Sequence, residues 1–365
     1  MEKPLFIKKT AMTILIVSDL HYEMGKYKNV DESISFQNFM DLIRRTEMAE
    51  AKKERPEKVH VIVLGDIGNA WTEKDFKSLA NTKATFHFIY GNHENQNTKR
   101  LLNEATNFDG SKMWREDGEV EEIDNFYFTF INGIAVNEDQ IKKFKETAER
   151  IVKTINEKKA GGKEKKVILC THAGPDMLSK TLLPLTPESQ SFSSRSDPAS
   201  RAVSESIEII NPSMVISGHV KFTGLGESIL KNGDKVIVLK VETSTKIGTY
   251  ALISEGKIKI GSIYKKLLIG EGSEVEVSID ALEDVRKGIR PLSLEIFNKD
   301  SNGNQNFRND EDKKASITDT QVNSNLEEEQ SKSIQPEKTE EPETKRKKEQ
   351  SFWTLLRRKV RRIKI

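Results

Sequence analysis

One cysteine, Cys170, stands in 365 residues, so no disulfide within the chain holds it together and its stability must come from a packed core. Long apolar runs are also missing. None approaches the ~20 residues that a membrane-spanning helix needs. The short run at 11–17, behind Lys3, Lys8 and Lys9, reads as a first strand and not a leader, since cleavage after it would threaten the polar residues that follow. Charge of one sign is lacking as well: 59 Lys and Arg against 57 Asp and Glu leave +2, which excludes a global field for nucleic acid or membrane. A cytoplasmic location is expected, with any attachment to a surface made locally.

Aromatics are few overall and nearly vanish beyond Lys299, where Glu, Lys, Asn, Ser, Gln and Thr take over. Such a segment buries too little apolar surface to offset the entropy of ordering it. The expected layout is one domain over 1–298, with its motif core at about 13–252, then a disordered charged linker at 299–350. At 351–365, Phe352, Leu355, Leu356, Val360 and Ile363 fall at helical spacing among Arg357, Arg358, Lys359, Arg361, Arg362 and Lys364, the pattern of a basic amphipathic helix. Residues 345–365 are therefore expected to place the protein peripherally on an anionic membrane surface or to dock a protein partner. Nucleic acid ranks below both as a partner.

Within the first 298 residues strand and helix signals alternate, which predicts an α/β fold. Residues 13–17 form a continuous β-branched run, as in a strand buried on both faces. Phe36, Phe39, Met40, Ile43 and Met48 recur at helical spacing, and the helix must end before Pro56. Further strands are expected at 59–64, 85–90, 126–131, 167–170 and 214–217, and helices at 71–80, 99–105 and 139–158. Asp197 and Pro198 cap another helix that runs to Ile210. Residues 235–240 and 249–254 read as a closing antiparallel meander, and 174–195 as a functional loop over the site.

Five polar islands stand where these runs stop: Asp19-Leu20-His21, Gly65-Asp66, Gly91-Asn92-His93-Glu94, His172, and Gly218-His219-Val220-Lys221. They supply two aspartates, an asparagine and four imidazoles, a nitrogen and oxygen set suited to divalent manganese, zinc or iron and hence to a metal-dependent hydrolase. Ligands gather at the carboxyl ends of strands in open sheets, where each island lies. On an extended segment Asp19 and His21 share a face and converge on one ion. Asn92 and His93 diverge, one toward metal and one toward substrate. Gly65, Gly91 and Gly218 suit tight strand exits. His60 and His87, inside strands, read as ordinary satisfied histidines, and Trp114 as core.

On these motifs, in this order between about 13 and 252, the chain resembles the calcineurin-like metallophosphoesterase superfamily. The resemblance implies a two-sheet sandwich flanked by helices, holding two divalent ions. It assigns Asp19 and His21 to the first ion, Asp66 to the bridge, and Asn92, His172 and His219 to the second. It makes His93 the imidazole that faces substrate, so His93 and Asp66 are the expected catalytic residues. The implied reaction is hydrolysis of a phosphomonoester or phosphodiester by a metal-activated hydroxide.

The family's last motif ends in histidine, where this chain has Lys221. A protonated lysine has no lone pair for a metal. The expectation is one firm site, formed by Asp66, Asn92, His172 and His219, beside a first site that Lys221 alters. A non-catalytic binding module recruited by its tail and a nuclease of the same superfamily stand as alternatives to the phosphoesterase.

Overall fold

The computed structural model describes residues 12–22, 36–160, 165–175, 183–184, 197–219, 223–243, 248–262, 274–293 and 296. Lys221, the linker at 299–350, the helix expected at 351–365 and most of the loop at 174–195 lie outside the described residues.

In chain order the elements are β1 (Thr13–Val17), α1 (Phe36–Ala51), β2 (Val59–Val63), α2 (Glu73–Ala80), β3 (Thr85–Phe88) and α3 (Gln96–Glu104). Then come β4 (Val120–Ile123), β5 (Phe126–Ile131), α4 (Glu138–Ala160), β6 (Lys166–Thr171), β7 (Leu183–Pro184), α5 (Pro198–Ile210) and β8 (Met214–Ser217). The last are β9 (Gly224–Ile229), β10 (Lys235–Lys240), β11 (Thr249–Ser254), β12 (Lys257–Ser262), β13 (Glu274–Ser278) and α6 (Ile279–Arg286). Local chemistry sets the helix starts: Thr72 and Asp75 form a reciprocal capping box on α2, Asn95 caps α3 through Thr98 N, and Asp197 caps α5 through Ser200 N ahead of Pro198.

The strands form two mixed sheets, one ordered β13-β12-β11-β1-β2-β3 and the other β4-β5-β6-β8-β10-β9-β7. Because successive strand side chains point to opposite faces, each strand of the centre feeds two cores. Ile14 and Ile16 of β1, with Ile62 of β2, meet Phe126, Phe128 and Phe130 of β5 and Ile168 and Cys170 of β6 in the seam between the sheets. Leu15, Val17, Val61 and Val63 turn outward onto Phe39 and Ile43 of α1 and Phe76 and Leu79 of α2. On the far side Leu169, Val215 and Val238 turn outward onto Ile151 of α4 and Val203 and Ile207 of α5. The result is a helix–sheet–sheet–helix sandwich, and the continuous apolar runs of β1 and β2 follow from their burial on both faces. Each fully buried Ile, Leu or Phe contributes about 1.5–3 kcal/mol. Among the described residues, no helix is long and apolar enough to cross a membrane.

One expectation fails. β10 and β11 do not form a meander: β10 pairs with β8 and β9 in the second sheet, and β11 pairs with β1 and β12 in the first. Both strands are apolar and consecutive, and nothing in their composition reveals that the chain changes sheets between Lys240 and Thr249. The helix expected from residue 99 begins three residues earlier, because the Asn95 cap carries it there.

His60 and His87 are buried partners, joined Nδ1 to Nε2 at 2.9 Å. Arg115 Nε donates to His87 Nδ1 at 2.9 Å, so His87 Nε2 carries the proton and donates to His60 Nδ1. His60 Nε2 then carries a proton that meets no acceptor among the described residues, so this ring is less completely satisfied than its strand position suggests. Burial lowers both rings, His60 to about 4, and Lys58 and Arg115 lower them further.

Candidate metal centre

The first three islands leave the first sheet at the ends of β1, β2 and β3, and the other two leave the second sheet at the ends of β6 and β8. The loops are tied to one another by main chain. Asp19 N donates to Gly65 O at 3.0 Å, His21 N to Asp66 O at 2.9 Å, and Gly218 N to His172 O at 2.9 Å. A Cβ on Gly91 would strike the Asp66 carboxylate, and one on Gly218 would strike Ser18 and Asp19, so glycine lets these turns close.

Asp19 and His21 do converge, though not by extended alternation. Asp19 has φ 54° and His21 φ 44°, as Asp66 has 51° and His219 70°. All four sit in the left-handed region, uncommon for residues with a Cβ, and the turns rather than a strand face aim their side chains. Sequence spacing carried no sign of this.

Asp66 stands at the middle. Its Oδ1 accepts Asn92 N at 2.7 Å and His93 N at 2.9 Å, while its Oδ2 lies 3.2 Å from His172 Nε2 and 3.9 Å from Nε2 of both His21 and His93. Burial alone would raise this carboxyl, but the His172 hydrogen bond, the His172 and His21 charges and the His93 amide hold it well below the usual carboxylate range. Asp19 is fully buried: its Oδ2 accepts Ser18 Oγ and His219 N, and its Oδ1 faces His21 Nε2 at 3.8 Å. Burial raises Asp19 to about 6, with His172 opposing and Asp66 reinforcing the shift.

His172 is fixed from behind. Its Nδ1 lies 2.8 Å from Leu64 O, which can only accept, so Nδ1 carries the proton and Nε2 points into the site. There Nε2 lies 3.1 Å from Asn92 Oδ1 and 3.2 Å from His219 Nδ1. Burial would lower His172, but the Asp66 hydrogen bond and the Asp19 and Asp66 charges raise it to about 9. His219 goes the other way, lowered to about 4 by burial and by His172. His93 stays half-exposed, its ring edge-on to His21 with centroids 5.0 Å apart.

Two groups of ligand atoms result, each within 4.8 Å: Asp19, His21 and Asp66, and Asp66, His172 and His219. Asp66 belongs to both. These donors fit divalent ions, since carboxylate oxygens and imidazole nitrogens converge on points that already attract a proton to His172. All six ligand positions named from the sequence are thus brought together, with Asn92 at the second group; Lys221 lies outside the described residues.

Two residues of the site had no assigned role in the sequence reading. Glu94 is buried and spans two loops, accepting Ile67 N at 2.8 Å and Gly91 N at 2.9 Å. Burial, with Asp66 adding to it, raises its pKa. Ser18 is fully buried: its N donates to Thr243 Oγ1 at 3.0 Å while its hydroxyl holds one oxygen of Asp19, leaving Oδ1 toward His21. Glu94 closes the third island and Ser18 directly precedes Asp19, and those positions are the signal that could have found them.

The family model for calcineurin-like phosphoesterases matches residues 12–221, more than half of the chain, and the chain belongs to that family. No curated protein matches it. Among solved structures it is similar to TT1561 of Thermus thermophilus, at 13% identity and TM-score 0.44, over 70% of this chain and 100% of that one. It is similar also to the NAD nucleotidase of Haemophilus influenzae, at 14% identity and TM-score 0.37, over 73% of this chain and 55% of that one. The purple acid phosphatase PPD1 of yellow lupin is 10% identical, with TM-score 0.39, over 70% of this chain and 52% of that one. The chain thus spans about half the length of the last two.

Proposed function

We propose that this chain hydrolyses phosphomonoesters or phosphodiesters with divalent manganese, zinc or iron. The observation that carries the reading is the sharing of Asp66 between the two ligand groups. Asp66, Asn92, His172 and His219 would hold the firmer ion. Asp19, His21 and Asp66 would hold a weaker one, because Lys221 stands where the family pattern has another ligand. Bound ions supply positive charge for the phosphoryl oxygens and make water more acidic near neutral pH.

The remaining work falls to the chain. The Asn92 and His93 amides hold Asp66 Oδ1, so that Oδ2 alone turns toward the imidazoles. Ser18 and the His219 amide do the same for Asp19. His93, half-exposed and 3.9 Å from Asp66 Oδ2, is placed to face a substrate and to give a proton to the leaving oxygen.

Hydrolysis of aryl phosphate mono- and diesters with added manganese tests this. We expect turnover in the wild type and a kcat lower by about a hundredfold to ten-thousandfold in His93→Ala, with metal content unchanged. A metal-replete wild type that hydrolyses neither ester would make the chain a binding module, and cleavage of plasmid or single-stranded DNA alone would make it a nuclease.

A further inference from the structure

β3 ends at Phe88, yet the chain stays held for two residues more. Along an extended segment the main-chain N–H and C=O groups of successive residues turn to opposite sides. Ile89 N donates to Val63 O at 3.0 Å on the β2 side, so the groups of Phe88 and Tyr90 face the open side of β3, the outer strand of its sheet. Phe88 N donates there to Met113 O, and Phe88 O accepts Arg115 N. At Tyr90 the partner comes from the second sheet. Tyr90 N donates to Asn132 Oδ1 at 2.7 Å, and Gly133 N donates to Tyr90 O at 2.7 Å, both from the exit of β5. A side-chain amide thus stands in for a strand carbonyl and ties the two sheets together at the residue before Gly91-Asn92-His93.

The amide of Asn132 is itself fixed. Its Oδ1 also lies 3.4 Å from Trp114 Nε1, and its Nδ2 donates to Arg115 O at 2.9 Å and to Asp117 Oδ1 at 3.2 Å. Asn132 N donates to the same Asp117 oxygen at 2.6 Å. Donors surround one end of the amide and acceptors the other, which leaves it a single orientation and a chemical reason to be asparagine: a carboxylate would have no proton to give Arg115 O or Asp117. Gly133 has φ 72°, a conformation in which a Cβ would be strained, and so returns its N–H to Tyr90.

What hangs from Tyr90 is the loop that carries Asn92 and His93. From within the site Asp66 Oδ1 holds it by accepting Asn92 N and His93 N. From behind, Asn132 and Gly133 hold its root. The His93 ring is half-exposed and meets His21 only edge-on, so its place is set by the main chain rather than by packing around the ring.

We propose that Asn132 is a positioning residue for His93: by fixing the main chain at Tyr90 it keeps the loop seated on Asp66 and the imidazole over the site. It touches no substrate and acts through His93. For the reaction the proposal rests on the phosphoesterase reading.

Hydrogen exchange and turnover of the metal-loaded full chain test it together. In Asn132→Ala the amides of Asn92 and His93 should exchange about tenfold faster or more, while the Gly218 amide, bonded to His172 O, keeps its rate. Asn132→Asp combined with Asp117→Asn swaps amide and carboxylate, keeps an acceptor for Tyr90 N and the same net charge, and should restore both rates. Asp117→Ala removes support from behind the amide at an exposed position, gives the same pattern at a smaller factor, and serves where Asn132→Ala does not fold. With aryl phosphates, Asn132→Ala should lower kcat by about tenfold or more at equal metal content, and more for phenyl than for 4-nitrophenyl phosphate, whose leaving oxygen needs a proton less. Added to His93→Ala it should cost nothing further, because the two residues act as a unit. Unchanged exchange at Asn92 and His93, a Gly218 amide that speeds by the same factor, or an equal loss of kcat in the His93→Ala background overturns the proposal. A metal-replete wild type without ester turnover sinks the hydrolase reading alone, and the exchange rates still decide this one.

Discussion

His60 and His87 approach to 2.9 Å inside the first sheet, and His172 and His219 to 3.2 Å at the end of the second. Both pairs are largely withdrawn from water. What surrounds them differs: Arg115 and Lys58 face the first pair, Asp66 and Asp19 the second. The same side chain is accordingly pressed down to about 4 at His60 and up to about 9 at His172. Burial lowers a histidine in both places, so it is the sign of the neighbouring charge that sets His172 apart, while His219, lowered to about 4 by burial and by His172, is marked as a candidate ligand only by its place beside Asp66. Position along a strand is a weaker guide, because all four rings lie in or directly after strands.

Removing the charge that distinguishes the second pair has the largest expected effect. Asp66→Asn keeps the shape but takes the shared carboxylate from both ligand groups. Ester hydrolysis should fall by about a thousandfold or more, with metal content falling alongside it. An active, metal-replete Asp66→Asn protein would mean that Asp66 is not the bridge.

The first pair is tested through pH. The unfolded chain takes up a proton at His60 near pH 6.5, and the folded chain resists until about 4, so between those values the unfolded state binds more protons. The stability that the neutral ring supports is whole above pH 6.5 and is lost as pH falls toward 4, by about 3 kcal/mol. Urea unfolding of the wild type and His60→Gln, at pH 7 and pH 4.5, should show a smaller loss in the variant, which is spared the share of His60 and keeps those of His87 and His219. An equal loss in both proteins would place the acid sensitivity elsewhere.

A smaller effect sharpens the role of the carboxylates. Ser18→Ala removes one of the two donors that hold Asp19 Oδ2, leaving the His219 amide, and should weaken metal binding by about tenfold, in the range for outer-shell partners. Competition with a metal chelator measures it, and unchanged affinity would leave Ser18 as packing alone.

Much of the fold was legible because β1, β2, β6 and β8 are apolar runs that end in polar islands, and helices α1, α4 and α5 carry clear periodicity or caps. The convergence of the candidate ligand positions was legible for the same reason, since polar residues placed at strand ends interrupt hydrophobic patterning. Three features were not. The change of sheet after Lys240 depends on long-range pairing, which neighbours in sequence do not encode. The left-handed turns at Asp19, His21, Asp66 and His219 occur at residues whose type does not announce them. Asn132 and Gly133 look like any Asn-Gly turn, and only their hydrogen bonds to Tyr90 set them behind the site.

Cys170 lies in the seam, fully buried and next but one to His172, with its thiol pushed up by desolvation. A thiol held protonated and out of reach does not meet alkylating reagents while the sheets stay closed. As the sole sulfhydryl in the chain, it makes the native protein silent to such labels and turns any labelling into a clock for the parting of the two sheets.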